Sequence, residues 1–215
     1  MFETAIDLLK KINHLGYEAY IIGGYPRDLY RGIQNKDIDI CSNIKEEILL
    51  SNFEVLSSNP FGSFIIKSND YLFELTLFRQ EVYSNSRYPT ISYVSSLQED
   101  LLRRDFIMNT LCIDSNCCYI DYMNARKDID QKIIQTVGNI DLKMKEDPLR
   151  IIRAIRFSSD LDFQIENNLK TYIINNKEIL KKLSQTRIEK EIKKVNNKTN
   201  FYKLVKELDL TDYIQ

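Results

Sequence analysis

Several residue types and patterns are scarce in this 215-residue chain, and each scarcity argues against a class of protein. The sequence has no run of eighteen apolar residues, so we expect no helix that crosses a membrane. Its four cysteines lack a metal-ligand spacing such as CxxC, which predicts reduced thiols and a cytosolic protein. The single histidine, His14, disfavours serine–histidine or cysteine–histidine catalysis. The first residues also lack the basic stretch and cleavage site of a signal peptide.

Neither sign of charge is in large excess, because the net charge is −1, but the charges are unevenly distributed along the chain. Residues 170–206 contain eleven lysines and arginines and three glutamates. A basic segment beside an acidic remainder predicts a polyanionic partner, with a solvated lysine-rich helical face as the alternative.

Two regions follow one another along the chain. Over residues 1–139, helix signals are mixed with short runs of aromatic and branched residues typical of strands. Residues 79–97 have no helical pattern and predict a long loop or a loose hairpin. From residue 140 to 215 the apolar spacing is helical throughout. We therefore predict an α+β head over 1–139 and an all-helical segment over 140–215.

The most specific pattern is "IIGGYPRDLYRGIQNKDIDI", residues 21–40. Gly23 and Gly24 follow a predicted strand and let the backbone approach a ligand without a Cβ, and the helix that begins there offers N–H groups to an anion. Asp37 and Asp39 point to one face of the next predicted strand, because side chains alternate along it. Two such carboxylates suit Mg²⁺ and a phosphoryl or nucleotidyl transfer.

A second pattern involves Asp147 and Arg150, which are three residues apart and are predicted to share a helix face. Aspartate only accepts hydrogen bonds and arginine only donates them. Cytosine and adenine both present an amino donor beside a ring-nitrogen acceptor, and uracil and guanine reverse this order. Such a pair could accept C and A and reject U and G, with an ordinary surface salt bridge as the alternative.

Arginines and further acids form a third set of candidates. Arg103 and Arg104 suit a triphosphate through bidentate contacts, with an exposed helix face as the alternative. Asp105 could accept from a ribose 2′-hydroxyl and so favour ribonucleotides. Arg27 is a further triphosphate candidate, and Glu74 is either a third acid near the metal pair or simply a polar strand residue.

These motifs, in this order, resemble those of the class II tRNA nucleotidyltransferase and bacterial poly(A) polymerase superfamily, the CCA-adding enzymes. "EDLLRRDFIMN", "EDPLRIIRAIRF" and "SQTRIEKE" resemble the family's second, fourth and fifth motifs, and "DYMNARKDI" weakly resembles the third. Arg79 and Arg87 resemble the flexible segment needed for adding the terminal A. The match covers residues 17–191.

The resemblance implies a fold, an activity and partners. It implies a polymerase-β-like nucleotidyltransferase head with a mixed β-sheet, followed by a helical neck. It implies template-independent addition of CCA to tRNA 3′ ends from CTP and ATP, with Mg²⁺ as the cofactor. An A-adding enzyme or a poly(A) polymerase is the sibling alternative. A non-catalytic RNA-binding module is the alternative from another class.

The implied site residues fall into three sets by role. The catalytic set is Asp37, Asp39 and Glu74, of which Asp37 and Asp39 hold the metal. The nucleotide-binding set is Gly23, Gly24, Arg27, Arg104, Asp105, Asn109, Asp147, Arg150, Arg153 and Arg156. The RNA-binding set is Arg187, Lys190, Lys193 and Lys194.

The chain departs from the family pattern at several points. Pro26 replaces a usual valine, Ile107 a usual threonine, and Ala125 a usual glycine, which predicts a stiffer hinge. Family members usually continue into helical body and tail domains that grip tRNA, whereas this sequence ends at Gln215. We expect either a minimal enzyme or tRNA contacts supplied by another subunit, such as the second copy in a homodimer.

Overall fold

A mixed β-sheet organises the first part of the chain in the computed structural model, which describes residues 1–83 and 89–214. Over these residues the strands are β1 (Ala19–Ile22), β2 (Asp39–Ser42), β3 (Glu54–Ser58), β4 (Ser63–Ser68), β5 (Tyr71–Leu77), β6 (Arg79–Val82), β7 (Thr90–Tyr93), β8 (Cys112–Ile113), β9 (Tyr119–Ile120), β10 (Ile133–Ile134) and β11 (Gln164–Ile165). The main sheet has the order β3-β4-β5-β2-β1-β8-β9. Strands β2 and β5 are parallel and the other neighbours antiparallel, which confirms the predicted α+β class with a mixed sheet.

Helices pack on this sheet and make up most of the second part of the chain. They are α1 (Phe2–His14), α2 (Gly24–Tyr30), α3 (Glu46–Asn52), α4 (Leu97–Leu102), α5 (Ala125–Asp130), α6 (Ile140–Glu146), α7 (Leu149–Leu161), α8 (Asn167–Asn175), α9 (Gln185–Ile192) and α10 (Lys198–Glu207). Helix α1 buries Leu8, Leu9 and Ile12 in one core cluster with Phe64 and Phe73 of the sheet, as its apolar spacing predicts. No helix within the described ranges is both long and apolar enough to cross a membrane.

The segment predicted as a long loop or loose hairpin contains a hairpin. Strands β6 and β7 pair antiparallel, from Arg79 opposite Tyr93 to Val82 opposite Thr90. The candidate Arg87 lies outside the described residues.

The chain forms two compact units. The first consists of Met1–Arg104 and Asn109–Arg126, and the second of Asp105–Met108 and the residues from Lys127 onward. The structure thus groups residues 127–139, which the sequence pattern assigned to the head, with the second unit. Four residues of the motif at 99–109 also belong to the second unit.

The second unit is mainly helical but contains one short sheet. Strands β10 and β11 pair in parallel, with Ile133 opposite Gln164 and Ile134 opposite Ile165. The segment 140–215, predicted to be all-helical, thus contains one short strand, at Gln164 and Ile165. Two-residue strands give no alternation that a sequence pattern could reveal.

Candidate active site

Three carboxylates of the first unit lie around the start of strand β2. Asp39 is the first residue of β2, and its partner on the parallel strand β5 is Glu74. Asp37 lies just before the strand and is exposed, with its backbone N–H bonded to the side chain of Asn35 (2.9 Å). Ile38 is buried, as the alternation predicts. The strand itself begins two residues later than predicted.

The electrostatics of Asp39 indicate a site that favours a cation. Burial, followed by the charges of Asp37 and Glu74, raises the pKa of Asp39 to about 6. Hard carboxylate oxygens fit Mg²⁺, which proteins commonly bind through one or two carboxylates together with phosphate oxygens and water. Among residues 1–83 and 89–214, no three Asp, Glu, His or Cys side chains form a group that could hold a metal. The fit therefore rests on the two-carboxylate mode.

Gly23 leaves room for the Asp39 carboxylate. Its φ of 85° lies in the left-handed region, and a Cβ there would be 3.2 Å from Asp39 Oδ2. The sequence predicted that the glycine pair admits a ligand. In the structure, the space beside Gly23 is occupied by the carboxylate.

A buried carboxylate that sequence reasoning missed, Asp100 on helix α4, binds the two adjacent arginines. Its Oδ1 accepts from Arg103 Nε (2.8 Å), and its Oδ2 accepts from Arg104 Nη2 (2.8 Å). Burial alone would raise the pKa of Asp100, but Arg104 and Arg103 hold it below its usual value. The signal was present in the sequence, because residues three and four apart on a helix are neighbours.

A second carboxylate, Glu81 on strand β6, joins Arg79 to Arg103, so that Arg79, Arg103 and Arg104 form one arginine cluster. It pairs with Arg79 (2.8 Å) and with Arg103 (3.4 Å), and it accepts from the hydroxyl of Tyr83 (2.8 Å). Burial alone would raise the pKa of Glu81, but the neighbouring Arg103 and Arg79 lower it. The hairpin is therefore bonded to the same cluster as helix α4.

Two of these acids and three of these arginines line one cavity of about 210 Å³. Asp39 and Glu74 contribute negative charge to its wall, and Arg79, Arg103 and Arg104 contribute positive charge. Groups of both signs around one small space suit a ligand that itself carries a cation and an anion.

Arg27 and Asn109, both predicted to bind nucleotide, contact each other in the first unit. Arg27 is buried, donates to Asn109 Oδ1 (2.6 Å) and forms a two-pronged pair with Asp28 (2.9 and 3.0 Å). Asn35 also donates to Asp28 (2.8 Å), so this carboxylate orients the turn after helix α2. Contact between Arg27 and a triphosphate stays a prediction.

In the second unit, Asp105 is paired with Arg153. Its Oδ2 accepts from Arg153 Nε (2.7 Å), and its Oδ1 accepts from the backbone N–H of Phe106 (2.8 Å). Burial alone would raise the pKa of Asp105, but Arg153 and these bonds lower it. The predicted bond to a ribose hydroxyl remains a prediction.

The prediction that Asp147 and Arg150 share a helix face was wrong. Helix α7 begins at Leu149, and Asp147 has an extended backbone because the following residue, Pro148, disfavours helical geometry there. Both oxygens of Asp147 accept from Arg187 Nη2 (3.0 and 2.9 Å).

Arg150 has different partners, although it lies on the first turn of helix α7. It is buried and donates to Glu146 (2.7 Å) and to the carbonyl of Lys143 (2.8 Å). Asp147 and Arg150 therefore bond to other residues and not to each other's side chains.

Glu191 on helix α9 forms ion pairs with the arginines of helix α7. It is buried, bonds Arg156 (2.6 Å), and lies 3.8 Å from Arg153 and 3.3 Å from Lys194. Nucleotide binding by Arg153 and Arg156 stays a prediction. Of the predicted RNA-binding residues, the lysines are exposed, whereas Arg187 is half-buried against Asp147.

A family comparison matches residues 19–135 to the poly A polymerase head domain. The chain is 34% identical over 198 residues to a CCA-adding enzyme of Geobacillus thermodenitrificans. This alignment covers 90% of this chain and 49% of that protein. It is 39% identical over 176 residues to a CCA-adding enzyme of Streptococcus mutans, which covers 80% of this chain and 43% of that protein. The chain spans about half the length of the curated relatives it matches.

Solved structures give the same picture of the fold. The Bacillus stearothermophilus CCA-adding enzyme in complex with CTP matches with a TM-score of 0.89 and 29% identity, over 99% of this chain and 53% of that one. A tRNA nucleotidyltransferase complexed with a primer tRNA and an incoming ATP analog matches with a TM-score of 0.78 and 26% identity, over 95% of this chain and 61% of that one.

Proposed function

Because the chain belongs to the poly A polymerase head domain family, we propose that it adds C, C and A to tRNA 3′ ends from CTP and ATP, without a nucleic-acid template. The 3′-hydroxyl of the RNA would attack the α-phosphate of the nucleotide, with release of pyrophosphate. Similar proteins include CCA-adding enzymes, one in complex with CTP, and a tRNA nucleotidyltransferase complexed with a primer tRNA, which supports this choice of substrates.

The observation that carries the proposal is the cavity with acids and arginines on its wall. A nucleoside triphosphate bound with a divalent cation has the complementary distribution of charge. The cation would lie near Asp39, and the phosphate oxygens would lie near Arg103 and Arg104.

Each of the acids and arginines in and near this cavity would have a separate task. Asp37 and Asp39 would hold Mg²⁺, which when bound lowers the pKa of the attacking hydroxyl and neutralises charge on the phosphates. Arg103 and Arg104 would orient the triphosphate through their N–H donors. Glu74, opposite Asp39 in the sheet, adds negative charge beside the cation.

Base choice is proposed to rest on Asp147 and Arg150 of the second unit. Acceptor–donor complementarity with a base edge does not require the two side chains to touch each other. Asp147 would accept from the amino group of cytosine or adenine, and Arg150 would donate to the ring nitrogen. Asp105 is proposed to accept from the ribose 2′-hydroxyl.

The setting and the partners follow from the same proposal. Arg187 and Lys190 of helix α9, with Lys193 and Lys194 just after it, would bind the acceptor stem of tRNA. The four cysteines are free thiols, which supports the proposal of a cytoplasmic setting. The homodimer remains a prediction, which sedimentation would check.

One assay tests the proposed function. The protein is incubated with Mg²⁺, one nucleoside triphosphate at a time, and three tRNA transcripts. The first lacks the whole CCA end, the second lacks the final CA, and the third lacks only the terminal A. We expect C on the first two and a single A on the third. Long A tails would instead favour a poly(A) polymerase, and A on the third transcript alone an A-adding enzyme. Binding of tRNA without incorporation would refute every enzymatic proposal.

Two variants complete the assay. Asp147→Ala is expected to admit UTP and so to relax base choice more than it weakens binding of the triphosphate, because it removes a base contact and no phosphate contact. Asp141→Asn is the matched control, since Asp141 is a half-buried aspartate that accepts from Lys145, four residues away, and from the hydroxyl of Tyr172. Continued rejection of UTP by Asp147→Ala would contradict the proposed base reading.

A further inference from the structure

Asp100 lies at the centre of the arginine cluster and is fully buried. We propose that Asp100 is the positioning residue that fixes Arg103 and Arg104 for binding the triphosphate of a nucleotide. This inference deepens the proposed function and rests on it.

The two carboxylate oxygens divide the arginines between them. Arg103 Nε donates to Oδ1, while Arg104 donates to Oδ2 from both Nε (3.2 Å) and Nη2 (2.8 Å). The backbone N–H of Arg79 also donates to Oδ1 (3.2 Å). One carboxylate therefore fixes two guanidinium groups and the start of strand β6, and little side-chain entropy is left to lose when a ligand arrives.

The positions of the charges show why this arrangement suits an anion. Asp100 and Glu81 pair with Arg79, Arg103 and Arg104. All three arginines line the cavity, whereas Asp100 and Glu81 do not. A buried acid that orients these donors increases their affinity for phosphate oxygens without entering the cavity itself, since Asp100 is not among the cavity-lining residues.

A purely structural role is the competing explanation, because breaking a buried ion pair also destabilises a fold. The two roles differ in what they change. A structural role lowers the melting temperature and leaves the kinetics of the folded fraction unchanged. A positioning role weakens triphosphate binding in molecules that are folded.

The test uses Asp100→Asn in the full chain, with inorganic tripolyphosphate and CTP as ligands. We expect the affinity for tripolyphosphate to fall, and the KM for CTP to rise, by about tenfold, while kcat changes less than about threefold. Asp141→Asn is the control and should match the wild type. Tripolyphosphate affinity within twofold of wild type in the folded variant would overturn the proposal. Tripolyphosphate binding requires no RNA and no turnover, so its loss in the variant would support the proposal even if the wild type never incorporated a nucleotide.

A measurement on the wild type guards against a variant that fails to fold. Side-chain ¹⁵Nε–H signals of Arg103 and Arg104, assigned through Arg103→Lys and Arg104→Lys, are recorded without ligand and with tripolyphosphate. We expect both signals to be protected from exchange before ligand is added and to shift when it binds. Fast exchange of either signal in the ligand-free protein would show that the arginines are not held in place, and would also overturn the proposal.

Discussion

The ionised carboxylate of Asp39 destabilises the fold, and a bound cation would relieve this destabilisation. Its pKa is raised to about 6 because it is buried beside two other carboxylates, so at neutral pH the fold contains a charge that its surroundings disfavour. Asp39→Asn should therefore raise the melting temperature of the metal-free protein at pH 8 by a few degrees, and abolish nucleotide incorporation.

Differential scanning fluorimetry with and without Mg²⁺ checks this prediction. Mg²⁺ should stabilise the wild type and leave Asp39→Asn unchanged, because the variant has lost one of its proposed ligands. Equal stabilisation of both proteins by Mg²⁺ would mean that the cation binds elsewhere.

At the level of single residues, the sequence predicted which side chains are buried or charged better than it predicted which residues they bond. The alternation of Asp37, Ile38 and Asp39 is a local property, and the burial of Ile38 followed from it. The bond between Asp147 and Arg187 joins residues forty positions apart, and no periodicity relates them. The sequence predicted that Arg27 binds a triphosphate, and only the fold showed Asp28 and Asn109 as its partners.

Among the secondary-structure elements, helices α7 and α9 depend on acids that are paired with arginine. Neighbouring cations lower the pKa of both Asp105 and Glu191 despite their burial. A carboxylate with a lowered pKa contributes stability above its unfolded-state pKa of about 4 and loses it as the pH falls. Glu191→Gln should therefore lower the free energy of unfolding by about 2–4 kcal/mol at pH 7, and by much less near pH 3.

Urea unfolding of the full chain at both pH values measures this difference. The control is Glu207→Gln, since Glu207 is an acid on helix α10 whose partner Lys203 is exposed and 3.9 Å away. Its effect should stay within about 0.5 kcal/mol at either pH. A loss in Glu191→Gln that is the same at pH 3 as at pH 7 would show that the ion pairs are not its cause.

The boundaries of elements were harder to predict than their existence. Apolar spacing located helix α7, but its start depended on Pro148, which excludes Asp147 from the helix. Strand β2 begins at Asp39 rather than earlier, although Asp37 continues the same alternation. In both cases the boundary depends on a local backbone preference or on a neighbouring strand, and the spacing of apolar residues contains no information about either.

Across the whole molecule, the separation of charge predicts how RNA binding responds to salt. Lys190 and Lys193 are exposed, whereas Arg187 and Lys194 are each paired with an acid. Lys190→Ala with Lys193→Ala should make the slope of log affinity against log salt shallower by about 1.4–1.8, because each lost phosphate contact retains about 0.7–0.9 counterions.

Filter binding of a tRNA transcript from 50 to 300 mM salt measures the slope. Lys10→Ala with Lys11→Ala is the matched control, because these two lysines are also exposed but lie on helix α1 of the first unit. An equal change of slope in both double variants would indicate a general charge effect in place of a binding surface.

The four-residue segment Asp105–Met108 belongs to the second unit, while the chain on either side of it belongs to the first. Phe106 packs edge-to-face on Phe157 and bridges to Thr136, so its side chain is fitted to residues encoded well downstream. A single genetic crossover near codon 126 would combine this segment from one parent with its neighbours from the other. Related genes should therefore exchange the second unit successfully only when codons 105–108 travel with it, which a single crossover cannot achieve without also moving codons 109–126 of the first unit.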